Sequence, residues 1–87
     1  MNKLIIKFLI IFAFCLQNVN AETVDINSAD ALTISKNLKG IGLKKATRIV
    51  EFRVLNGPFR SVDDITKVKG IGPKTLERNK EDIIVSK

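Results

Sequence analysis

Two short strings in this chain have the residue types and spacing for anion chemistry: Lys39-Gly40-Ile41-Gly42 and, thirty positions later, Lys69-Gly70-Ile71-Gly72. An aliphatic residue precedes each copy (Leu38, Val68), a lysine lies two residues beyond the second glycine (Lys44, Lys74), and Thr75 corresponds to Lys45. A two-glycine turn lets the chain adopt positive φ and leaves its peptide N–H groups without steric cover. Where such a turn delivers the chain into a helix, the unpaired amides of the first turn and the positive end of the helix dipole face the same point, which suits a phosphate. Lys44, Lys45 and Lys74 fall in that first turn, where positive charge opposes the dipole unless an anion is present. Ile41 and Ile71, between the glycines, read as plugs that hold each turn onto the core. Lys36, Lys67, Arg78 and Lys80 read as solvated helix faces, and Lys39 and Lys69 stand between the two readings. Arg53 and Arg60 either reach phosphates or pair with Glu51 and Asp63; residue type does not separate these.

The elements that must position those turns read as helices. Asn27 and Ser28 precede a segment that Asp30 can cap, with Ala31, Leu32, Ser35 and Leu38 at roughly helical spacing, which predicts a helix over about Ala29 to Leu38. Ala46, Ile49, Val50 and Val54 fall on one side of a long helix from Leu43 to Leu55, stopped by Asn56-Gly57-Pro58, with Gly57 suited to a left-handed cap. Ser61-Val62-Asp63-Asp64 looks like a capping box opening a short helix through about Val68. Pro73 suits the first position of a last helix running to about Lys80, with Ile83, Ile84 and Val85 closing the core. Phe52 and Phe59 read as core residues rather than stacking platforms. No stretch sustains period-two alternation, so the expected fold class is all-α, and each repeat copy is too short to bury a face alone.

The bulk composition sets outer limits. Lys3 and Lys7, the apolar run Phe8 to Leu16, and Val19-Asn20-Ala21 before Glu22 have the layout of a secretory leader cleaved after Ala21. The apolar run is shorter than the roughly 20 residues that span a bilayer, so a retained anchor is the weaker reading. Cys15 follows Phe14, not the small residue of a lipoprotein leader. The expected organisation is therefore a leader over residues 1–21 and one domain over residues 22–87, secreted, with no cysteine and no disulfide. A domain of about 65 residues is small enough to be marginal and must rely on tight local packing. It carries thirteen basic and nine acidic residues. This surplus suits a polyanion and equally suits simple solubility, so position has to decide.

The two glycine strings, with Pro73-Lys74-Thr75 after the second, look like tandem helix-hairpin-helix motifs. The wider pattern from Val24-Asp25-Ile26-Asn27 through Arg53, Asn56-Gly57-Pro58-Phe59 and Val62-Asp63-Asp64-Ile65 resembles the ComEA family of competence DNA receptors over nearly the whole of residues 22–87. The resemblance implies binding of double-stranded DNA without sequence choice. The implied site comprises Gly40, Ile41, Gly42, Lys44, Lys45, Lys69, Gly70, Ile71, Gly72, Lys74 and Thr75, with the two hairpins on opposite strands across the minor groove. It further implies a periplasmic location, a role in DNA uptake, and possible partners in an inner-membrane uptake channel and in further copies of the chain on DNA. The absence of Trp and Tyr agrees with binding that reads no bases.

Other readings are weaker. The glycines as ordinary helix caps leave the repeat and its trailing lysines unexplained. Lys74 sits where helix-hairpin-helix DNA glycosylases resemble this chain and carry a catalytic lysine, but so small a domain has no room for a base pocket or a partnering Asp. With no histidine, and no cysteine after the leader, no metal, cofactor or small-molecule substrate is expected and no enzyme activity. A protein-docking module like the extrinsic photosystem II subunit should lose basic character at the turns, which here are crowded with lysines. An intracellular repair module conflicts with the leader.

Overall fold

A computed structural model describes residues 23–87; the expected leader lies outside the described residues. In chain order the elements are a short strand β1 (Val24–Asp25), helix α1 (Ala31–Asn37), helix α2 (Leu43–Asn56), a 3-10 helix (Val62–Lys67), helix α3 (Pro73–Asn79), a 3-10 turn (Lys80–Asp82) and strand β2 (Ile83–Ile84). Among the described residues no helix is long and apolar enough to cross a membrane.

Local chemistry sets the helix ends. Asp30 caps α1 by accepting from the Thr33 N–H at 2.8 Å, so the helix begins two residues later than the spacing suggests. That start fixes its phase. Ile34 and Leu38 are buried with Ala31 packed beside them, whereas Leu32, expected on the inner face, is 54% exposed. The Ser61 capping box forms as expected, with Asp64 returning to the Ser61 backbone, but the segment it opens is a 3-10 helix. The long helix α2 buries Ala46 and Ile49, with Val50 and Phe52 packed partly against the core. Its next inward position is Arg53, not Val54, which points to solvent. Gly57 ends α2 with φ +90° and ψ 171°, positive as expected but extended rather than left-handed helical.

α1 packs along α2, and α3 packs against the 3-10 helix. Val24, Ile26, Ile34, Leu38, Ile41, Ala46, Ile49, Phe59, Ile65, Val68, Ile71 and Ile83 form one buried cluster. Phe59 is buried and stacks on Phe52 with ring centroids 5.2 Å apart, in keeping with their reading as core residues.

The helical class holds, with one addition that periodicity missed. β1 and β2 pair in parallel, Val24 opposite Ile83 and Asp25 opposite Ile84. Two-residue strands are too short to display alternation, yet they obey it: Ile83 is buried and Ile84 is exposed. Side chains reinforce this closure. Asn27 donates to Phe59 O (2.9 Å) and Ser86 O (2.8 Å) and accepts from the Phe59 N–H (2.7 Å). The Asp25 carboxylate accepts from Ser86, Asn27 and Ser28, and these hydrogen bonds to its charged form hold its pKa down at about 2.

Candidate nucleic-acid interface

Both glycine strings lie at turns between helices. The first joins α1 to α2 and the second joins the 3-10 helix to α3. In each, only the first glycine has positive φ: Gly40 at +73° and Gly70 at +93°. A side chain there would be strained. The second glycines take ordinary values, −76° at Gly42 and −108° at Gly72, and a Cβ built at either meets nothing within 4 Å. The fold thus requires glycine at the first position of each pair and leaves open space over the second.

Gly42 and Gly72 are the N-caps of α2 and α3, without any side-chain cap, and neither helix has an acidic residue in its first turn. The other helix starts are served by Asp30 and by Ser61 with Asp64. The first intrahelical acceptances run from Ala46 N to Gly42 O and from Leu76 N to Gly72 O, so the amides of Leu43 to Lys45, and of Lys74 and Thr75, have no partner within their helices. These are the two helix starts that carry Lys44, Lys45 and Lys74. Among the described residues the one ion pair is Lys67 with Asp64 at 3.4 Å, so the basic residues around the turns have no carboxylate partner.

The expected site residues divide into two groups. Lys39, Gly40, Gly42, Lys44, Lys69, Gly70 and Lys74 are exposed, with Lys45, Gly72 and Thr75 half-buried. Ile41 and Ile71 are buried, and the Ile71 N–H donates to Val68 O at 3.1 Å; their side chains hold the turns onto the core. Lys45 does not stay at its own turn. Its aliphatic stem lies 3.6 Å from the Cβ position of Gly70, in the second turn. Arg53 neither reaches outward nor pairs with Glu51: its guanidinium donates to Ile26 O (2.8 Å) and Ala29 O (2.7 Å), tying α2 to the segment before α1.

Two residues of consequence escaped sequence reading. Asn79, at the end of α3 and 1% exposed, accepts from the Lys39 N–H (2.7 Å) and donates to Lys39 O (2.8 Å) and Thr75 O (2.9 Å). Arg48, in α2, donates to Lys69 O at 3.3 Å. The equivalent carbonyls of the two turns are therefore each held by a side chain from the helix that leaves the other turn. Extending the thirty-residue repeat would have exposed half of this, because Arg48 aligns with Arg78; Asn79 aligns with the apolar Ile49 and breaks the symmetry.

A family profile described as the helix-hairpin-helix motif matches residues 19–84. The chain belongs to the helix-hairpin-helix family. Within it, the chain is ComEA-like. It is 44% identical over 62 residues to ComE operon protein 1 of Bacillus subtilis, covering 71% of this chain and 30% of that one. An uncharacterized protein of Haemophilus influenzae is 44% identical over 66 residues, covering 76% of this chain and 59% of that one. An endonuclease/exonuclease/phosphatase family domain-containing protein of Xenopus laevis is 30% identical over 71 residues, 82% of this chain but 13% of that protein. This helix-hairpin-helix chain thus spans less than two thirds of the length of each of these relatives.

Proposed function

We propose that this protein holds double-stranded DNA without sequence preference, in the bacterial periplasm after loss of its leader, in support of DNA uptake. The two turns act as tandem helix-hairpin-helix clamps on the phosphate backbone, through amides around Gly40, Gly42, Gly70 and Gly72 and the side chains of Lys44, Lys45, Lys69, Lys74 and Thr75. The observation that carries this reading is the pair of uncapped, acid-free helix starts crowded with unpaired lysines. In the absence of an anion those exposed amides are left to water and the lysine charges stand against the helix dipole. The similarity to ComE operon protein 1 supports the link to competence. The role is non-catalytic. An inner-membrane channel that receives the DNA, and side-by-side copies of the chain along it, complete the proposal.

A salt series tests it. With about four phosphates neutralised, log K for a short duplex should fall against log salt with a slope of about −3.6, the same for unrelated sequences. A slope near zero, or strong preference for one sequence, rejects backbone clamping.

The open space over the second glycines yields a sharper test. Alanine at Gly42 and Gly72 meets no atom of the protein and needs no unusual φ, so the double variant should keep its stability to within about 1 kcal/mol. The added methyls stand where a phosphate must approach, and duplex affinity should drop more than about tenfold. Loss of stability and affinity in step would assign these glycines to the fold instead.

A further inference from the structure

We infer that each phosphate clamp is shared between the two motifs, with Arg48 serving the second turn and Arg78 the first. This rests on the DNA-binding reading above and adds two contacts that lie outside the hairpin strings. The guanidinium of Arg48, on α2, stands 3.0 Å from the Cβ position of Gly70, and that of Arg78, on α3, stands 3.8 Å from the Cβ position of Gly40. The two arginines occupy equivalent places thirty residues apart, each six residues beyond the second glycine of its own motif. Each nevertheless lies over the first glycine of the opposite motif, so the arrangement is reciprocal.

Neither arginine has an acidic partner among the described residues. Arg48 spends one donor on Lys69 O, and a guanidinium has five, leaving a fork free for phosphate oxygens. The Lys45 stem lies over the same Gly70, placing a second cation beside Arg48. Placing Lys45 and Arg48 together over the second turn without a carboxylate is unfavourable in isolation, and a phosphate resolves it. Sharing also fixes the spacing of the clamps. Neither can shift along a duplex independently, because each takes a cation from the helix that the other begins.

The test measures affinity of the full-length protein for a short duplex across a salt series, with Arg48→Gln and Arg78→Gln, each alone and combined with Lys44→Gln or Lys74→Gln. Each arginine variant should weaken binding about fivefold and reduce the salt slope by about 0.9. Arg48→Gln should be non-additive with Lys74→Gln, which belongs to the second turn, and additive with Lys44→Gln; Arg78→Gln should show the reverse. Arg48→Lys keeps the charge and should retain most of the slope even if the hydrogen bond to Lys69 O is lost. Unchanged slopes in both arginine variants, or coupling of each arginine to its own turn, overturn the sharing while leaving DNA binding intact. Failure of the wild-type protein to bind any duplex overturns the DNA reading itself and the sharing with it.

Discussion

Replacing Lys44, Lys45 and Lys74 together by glutamate is expected to abolish duplex retention in a gel shift while leaving the helical circular dichroism intact. Lys44 and Lys74 are exposed in the first turns of α2 and α3. Three lost phosphate contacts would weaken binding by about a hundredfold, and three carboxylates facing the backbone add repulsion, for a total loss on the order of a thousandfold or more at 0.1 M salt. Stability should move in the opposite direction. Glutamate in a first helical turn complements the dipole that lysine opposes, so Lys44 and Lys74 should each gain about 0.3 to 1 kcal/mol on reversal. A control with the same change in net charge, reversal of Lys36, Lys80 and Lys87, should cost far less affinity, because none of the three lies in a glycine string or in the first turn of α2 or α3. Equal losses in the two triple variants would reduce the interaction to net charge, and unchanged retention in the first would remove these lysines from the interface.

Asn79→Ala is expected to be strongly destabilising. It deletes three hydrogen bonds at a 1% exposed position and leaves the Lys39 N–H and C=O without partners beneath the first turn. Such a loss costs about 2 to 4 kcal/mol, a large share of the stability of so small a domain. The melting temperature should fall by about 10 to 20 °C. A decrease of less than about 3 °C would show that water replaces the amide and that the first turn does not depend on α3. At temperatures where the variant remains folded, its duplex affinity should still be reduced, since Asn79 sets the backbone that presents Gly40.

Much of this was legible because it is local. The repeat, the Ser61 capping box, Pro73 at the start of α3 and the plug roles of Ile41 and Ile71 each follow from a few adjacent residues. The burial of Ile34 in place of Leu32 was missed because a seven-residue helix has no long period to average over, and Asp30 alone sets its phase. Arg53 and Asn79 were missed for a different reason. Their partners are backbone carbonyls and amides 24 to 40 residues away, and any residue offers those, so no second side-chain type marks the pair. The parallel strands left no pattern because each contributes two residues. The reciprocal placement of the two arginines was half visible: the thirty-residue offset reaches Arg48 and Arg78 in the sequence, but that each crosses to the opposite turn is a property of packing.

The closure of β1 on β2 bears on how the chain matures. The Asp25 carboxylate waits for the Ser86 amide 61 residues downstream, and Asn27 for the Ser86 carbonyl 59 residues downstream. As the polypeptide emerges from the ribosome, the helices around the first turn can assemble early, but the latch that joins β1 to β2 has no partner until Ser86 has been made. The domain therefore stays openable until that point, and removal of Val85 to Lys87 takes away the Ser86 groups on which the fastening depends.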